Sequence, residues 1–138
     1  MKKIKTKKIY ATVFFAALLV TALMPFAGCK AGAGATPQAL LDRYFSSAVM
    51  QDYGAAYNCY YAAYKAKINR AVYIRHRKED TSVLKEYRIL SVEQSGDAAQ
   101  AKVLLAFGQA GQPKAKPVDV IVTENMVKEN GDWKIKVW

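Results

Sequence analysis

The chain has one histidine, His76, and two cysteines, Cys29 and Cys59, among 138 residues. One imidazole with no second one to join it leaves too few ligands for an ordinary zinc site, so neither a metal nor a cofactor is expected. No glycine-rich loop of the kind that cradles phosphates is present, and no acid–base pair can be assigned from spacing. Acidic side chains are also scarce: 11 Asp and Glu stand against 21 Lys and Arg, a formal net charge of +10. Residues 1–28 contain no acid and five of the lysines, so residues 29–138 carry 16 basic and 11 acidic side chains, net about +5. The full-chain charge therefore overstates the basic character of the part that folds.

The five lysines, Lys2, Lys3, Lys5, Lys7 and Lys8, are followed by an uncharged run from Ile9 to Gly28 rich in Ala, Val, Leu and Phe. This is the pattern of an export signal. The run closes on Phe26-Ala27-Gly28-Cys29, where small residues precede the first cysteine. That stretch resembles a bacterial lipobox and departs from it at Phe26, where an aliphatic residue is usual. Cys29 is the candidate lipidation site, with 1–28 as signal peptide and 29–36 as lipidated cysteine and Gly/Ala linker. The alternatives are an uncleaved transmembrane anchor, since the run is about long enough to span a bilayer, and a plain secretory signal. The two leading readings put the remaining residues outside the cytoplasm, lipid-anchored at the cell membrane or outer membrane. A net positive charge there favours anionic lipid or polymer surfaces, and nucleic acid is not an expected partner. Lipidation of Cys29 would leave Cys59 without a disulfide partner, among apolar neighbours where a buried thiol is expected.

Thr36-Pro37 supplies a cap and a proline at the first helical position. Leu40, Leu41, Tyr44, Phe45, Ala48 and Val49 recur at helical spacing, which predicts an amphipathic helix over about 37–50. Asp52 can cap a second helix, on which Tyr53, Tyr57, Tyr60 and Tyr64 would form one stripe, with Tyr61 beside it. The stripe is either core packing or one wall of a pocket for a small apolar ligand, because tyrosine packs its ring while offering a hydroxyl. A basic segment follows, holding Arg70, Arg75, Arg77 and Lys78, with a third helix expected over about 69–79. It is either a solvated face or a contact for an anionic surface.

From Lys85 the period changes to two. Tyr87 and Ile89 share one face, Leu90 and Val92 run in the opposite phase, and a bulge near 89–90 would reconcile them. Ser95-Gly96-Asp97 is a turn. Ala99, Ala101, Val103, Leu105 and Phe107 recur at every second position, with Gln100 and Lys102 between the first three. Pro117 limits the next strand to starting at an edge or after that residue, with Val118, Val120 and Val122 on one face and Asp119, Ile121 and Thr123 on the other. Asn130-Gly131 predicts a two-residue hairpin leading to Trp133, Ile135 and Val137. The expected fold is α+β, with N-terminal helices covering one face of a curved antiparallel sheet of about four strands.

Helices first, a Gly96-Asp97 turn before Ala98-Ala99-Gln100-Ala101-Lys102-Val103, and a closing Glu129-Asn130-Gly131-Asp132-Trp133-Lys134-Ile135 together resemble the NTF2-like (cystatin-like cone) superfamily, nearest to small bacterial lipoproteins with a DUF4878-type domain. The resemblance covers about 37–138 and implies a cone-shaped cavity between helices and sheet. It leaves function open, because the fold hosts both isomerases or dehydratases and non-catalytic binding modules. Catalytic members resembling ketosteroid isomerase pair a cavity carboxylate with a tyrosine. Asp42 and Asp52 read here as helix-end residues, and Asp119 faces either in or out. The expectation is a membrane-tethered module that binds a small ligand or an envelope protein, with the isomerase type as the alternative.

Overall fold

A computed structural model describes residues 36–138; the signal, the Ala27-Gly28-Cys29 site and most of the linker lie outside the described residues. The first element, α1 (Pro37–Val49), starts where the Thr36 hydroxyl accepts the Ala39 N–H at 3.1 Å and Pro37 occupies the first turn. Its apolar stripe buries Leu40, Leu41, Tyr44 and Phe45. The helix stops before Gln51, which takes a left-handed φ of 57°. Asp52 then caps α2 (Tyr53–Tyr57), accepting the Ala55 N–H at 3.0 Å.

The continuous tyrosine-bearing helix expected from sequence is not formed. After Tyr57 the chain extends alongside the last strand: the Ile135 N–H donates to the Cys59 carbonyl at 2.8 Å and the Tyr61 N–H to the Ile135 carbonyl at 3.1 Å. Helix resumes only at α3 (Ala62–Lys67). The Ala62 N–H at its start donates to the Glu129 carboxylate, 3.0 Å from Oε2. Covering a strand edge that would otherwise expose its backbone groups outweighs the local helical preference of this alanine- and tyrosine-rich stretch. The last helix, α4 (Arg70–Glu79), is capped by Asn69, whose Oδ1 accepts the Val72 N–H at 3.0 Å.

The sheet is a meander of β1 (Ser82–Ser95), β2 (Ala98–Gln109), β3 (Val118–Glu129) and β4 (Asp132–Lys136), in the order β1-β2-β3-β4, with every pair antiparallel. The expected bulge is present, since the register slips between Ile89 and Ser91, and a second slip lies between Leu84 and Glu86. The Asn130-Gly131 loop has positive φ at both residues, 51° and 88°, the geometry that a two-residue hairpin requires and that glycine and asparagine tolerate. Pro117 immediately precedes β3, as its missing N–H demands.

Register fixes the inner face. Tyr87, Leu105 and Val120 form one row, Ile89, Val103 and Val122 the next, and Val92, Ala101 and Glu124 the next. Ala99, Met126 and Ile135 follow. These rows pack under α1 and the tyrosines of the helical layer, and the core centres on Leu40, Leu41, Val103, Met126, Trp133 and Ile135. Asp119 pairs with Ala106 on the opposite face and is exposed.

Candidate functional site

The helical layer brings six tyrosines, Tyr44, Tyr57, Tyr60, Tyr61, Tyr64 and Tyr73, into one core and packs Tyr53 against it, in two environments. In the first, hydroxyls are closed on protein partners. Tyr60 and Tyr44 share a hydrogen bond of 2.6 Å, Tyr57 donates to the Ile68 carbonyl at 2.8 Å, and Tyr61 donates to the Trp138 carbonyl at 3.1 Å. Burial pushes the Tyr44 and Tyr60 phenols well above the ordinary tyrosine value, so both stay neutral hydrogen-bonding groups. The Tyr60 ring stacks on Tyr64 at 4.3 Å between centroids and meets Tyr73 edge-on at 5.5 Å. Tyr57 and Tyr60 thus act as core; of the four residues in the expected stripe, only Tyr53 and Tyr64 reach a cavity wall.

The second environment is a cavity of about 120 Å³ between the helices and the inner sheet face. Tyr44 and Ala48 from α1, Tyr53 from α2, and Tyr73 and Arg77 from α4 form its helical wall. Leu84, Leu105, Phe107 and Glu124 form the sheet wall. A neighbouring recess of about 200 Å³ is lined by Tyr64, Ile68, Tyr73, His76, Arg77 and Asp80, so Tyr73, Arg77 and Asp80 border both. The Arg77 guanidinium carbon lies 5.6 Å from the centre of the Tyr73 ring, within cation–π reach. Its Nη1 is 3.4 Å from Asp80 Oδ2, and the side chain keeps 43% of its surface exposed. Such an ion pair adds little stability in partial contact with solvent.

Two carboxylates border the cavity, Asp80 at the end of α4 and Glu124 on the sheet wall. Partial burial pushes the Glu124 carboxyl above the ordinary glutamate value, and the charge of Arg77 pulls in the opposite direction. Sequence reasoning weighed Asp119 as facing either in or out, assigned no catalytic carboxylate and missed Glu124, although the signal was available: Glu124 continues the phase of Val118, Val120 and Val122, so a charged residue stands where the alternation calls for an apolar one. Tyr44 and Tyr73 were likewise missed as wall residues, because their convergence depends on how three helices pack.

The basic segment divides by helical phase. Arg70, Arg75 and Lys78 border an outward groove with Ala71, Ile74 and Glu79, while Arg77 turns to the interior side. A Cβ at Gly54 would overlap the Arg70 guanidinium, so the glycine leaves room for that side chain to lie over α2. Cys59 is buried, its thiol 3.7 Å from the Ala55 carbonyl and made less acidic by burial, the state of a core thiol rather than a nucleophile. On the outer sheet face, Glu93, Gln100, Asn125 and Lys136 form one row, with Gln100 donating to Asn125 Oδ1 at 3.0 Å.

No family model and no curated protein matches this chain. Solved structures do. An NTF2-like protein of unknown function from Pseudomonas putida superposes with a TM-score of 0.52 at 16% identity, over 71% of this chain and 78% of its own. The fold is the NTF2-like cone. A SEC-C motif containing protein from Rhodopseudomonas palustris gives a TM-score of 0.61 at 16% identity, covering 75% of this chain and 77% of that one. A Thiobacillus denitrificans protein described as a calcium/calmodulin-dependent protein kinase type II association domain gives 0.56 at 11% identity, covering 72% and 89%. At these identities the likeness establishes the NTF2-like fold alone.

Proposed function

We propose that this chain is a lipid-anchored, extracytoplasmic binding module of the bacterial cell envelope, akin to the DUF4878-type lipoproteins, whose cone cavity holds a small ligand. The observation that carries the binding reading is the cavity itself. Apolar residues Leu84, Leu105 and Phe107 face a cluster of polar groups on Tyr44, Tyr53, Tyr73, Arg77 and Glu124, the mixture with which small-molecule sites bury a ligand and fix its orientation. A volume of about 120 Å³ accommodates roughly four waters at about 30 Å³ each, or a compound of about four to six heavy atoms. The tether rests on the lysine cluster, the apolar run and Ala27-Gly28-Cys29. The outward cations Arg70, Arg75 and Lys78 suit an anionic lipid surface close to such a tether.

The test is a thermal-shift screen of small polar compounds against the full chain in a non-ionic detergent, run beside Ala48→Phe, which fills the cavity from the α1 side. A stabilising compound whose effect disappears in Ala48→Phe supports the reading; a compound that stabilises both proteins equally binds elsewhere and counts against it. For the tether, a palmitate analogue fed to the host should label the wild type and not Cys29→Ser, and equal labelling of the two would refute lipidation there.

A second reading, a proton-transferring isomerase or dehydratase, draws on Glu124, because a carboxylate beside tyrosines inside a cavity is what such chemistry needs. It requires turnover of the bound compound that Glu124→Gln abolishes while binding persists.

A further inference from the structure

Arg77 and Glu124 carry opposite charges, border the same cavity and are not paired with each other. Among the described residues Arg77 is ion-paired with Asp80, which borders the same cavity, and it acts on Glu124 as a nearby charge without a salt bridge to it. Arg77 comes from α4, braced by the face of the Tyr73 ring. Glu124 comes from the inner face of β3, fixed opposite Ala101 by the ladder. The two charges are therefore held by different rigid layers with the cavity between them.

A ligand bearing only a carboxylate would satisfy Arg77 and bring a like charge toward Glu124. A simple amine would satisfy Glu124 and face Arg77. The carboxylate leaves Glu124 uncompensated, and the amine leaves Arg77 with only its 3.4 Å, partly exposed contact to Asp80, so each meets only part of the charge in a partly desolvated space. A short molecule with a carboxylate at one end and an ammonium at the other compensates both. The apolar wall of Leu84, Leu105 and Phe107 then takes a small side chain. We infer that the cavity binds a small zwitterion, of the size and charge pattern of a short α-amino acid, with its carboxylate on Arg77 and its ammonium on Glu124. The guanidinium is planar by its own delocalisation, and the Tyr73 ring beside it helps to orient it for a two-point contact with the carboxylate. This inference rests on the cavity-binding reading above and specifies the ligand class.

The experiment is an NMR titration of the full chain in non-ionic detergent, followed through the tyrosine ring signals. The probes are L-alanine, its half-probes propionate and ethylamine, and the neutral lactamide. L-alanine should perturb the signals saturably, with each half-probe at least tenfold weaker and lactamide weaker still. Arg77→Gln and Glu124→Gln should each weaken alanine at least tenfold, because each removes one charge-assisted contact. Arg75→Gln, on the outward side of the same helix, should leave it unchanged. Glu124→Gln should also narrow the preference for alanine over propionate, since the like charge is gone. If Arg77→Gln fails to fold by near-ultraviolet circular dichroism, Arg77→Lys replaces it and should weaken alanine by less than tenfold while keeping the preference over ethylamine. Propionate or lactamide binding as tightly as alanine overturns the zwitterion and leaves the cavity-binding reading standing. Equal losses in Arg75→Gln and Arg77→Gln also overturn it, by assigning the effect to surface charge. If no probe binds and the wider screen finds no compound that Ala48→Phe excludes, both the inference and the binding reading fall.

Discussion

The two halves of β3 differ in what flanks them. From Asn125 to Glu129 the strand is paired with β4 on one side, and its earlier part, to Val127, with β2 on the other. From Val118 to Glu124 it is paired with β2 alone. In the first half the inner-facing Met126 is 2% exposed and lies beside Ile135 of β4. In the second half, inner-facing Val118 and Val120 keep 64% and 41% of their surface in solvent. Glu124 is the residue at the junction, one position before pairing to β4 begins. Where β4 pairs, Met126 and Ile135 are buried in the core; where it is absent, Val118 and Val120 on the same face stand partly in solvent, and Glu124 at the boundary reaches the cavity. The difference marks where burial is deepest, at Met126, Trp133 and Ile135, and where charge enters the inner face, at Glu124.

The largest way to break this division is to cut into the closed half. Trp133 is 2% exposed on β4. Trp133→Ala should destabilise the protein by about 3–5 kcal/mol, the usual cost of removing a buried large aromatic, read as a fall in the urea midpoint at unchanged slope. Val120→Ala in the open half should cost well under half as much, because Val120 leaves little water-free volume behind. Equal losses for the two variants would erase the distinction between the halves.

Most of the architecture could be read from the chain because it is written in short-range pattern. The helix starts at Pro37 and near Arg70, the bulge after Ile89, the strand beginning after Pro117 and the Asn130-Gly131 hairpin all follow from caps, period and turn chemistry, and each stands where expected. What failed depended on long-range pairing. The four-three-four spacing of Tyr53, Tyr57, Tyr60 and Tyr64 is a good helical stripe, yet the edge of β4, more than seventy residues further on, pulls Cys59–Tyr61 out of helix. No local propensity reports a partner that distant. The cavity was harder still. Its residues come from α1, α2, α4 and three strands, and only Glu124 signalled its place, as a charge in an apolar phase. Arg77 could not be separated from Arg70, Arg75 and Lys78 without knowing which side of α4 faces the sheet.

A gentler change sharpens the same comparison at its boundary. Glu124 has its carboxyl raised above the ordinary glutamate value, first by burial, with Arg77 acting against the shift. The groups around its cavity are Tyr44 from α1, Tyr53 from α2, Tyr73 and Arg77 from α4, and Asp80 just beyond it. In the folded protein the proton is thus held to higher pH than in the unfolded chain, whose glutamate titrates near about 4.3. Between that value and the raised one the folded state binds more protons, so stability falls as pH rises through the window and stays lower above it. Glu124→Gln removes this loss. Thermal midpoints of wild type and variant should draw together below about pH 4 and separate toward neutral pH, with the variant the more stable, by less than the cost of Trp133→Ala. Parallel pH profiles would mean that Glu124 does not titrate differently in the fold, and a less stable variant at neutral pH would mean that attraction to Arg77 outweighs burial. A gain in stability joined to a loss of alanine binding is the pattern expected of a residue kept for a ligand rather than for the fold, since a charge that serves a site is commonly held at some expense to stability.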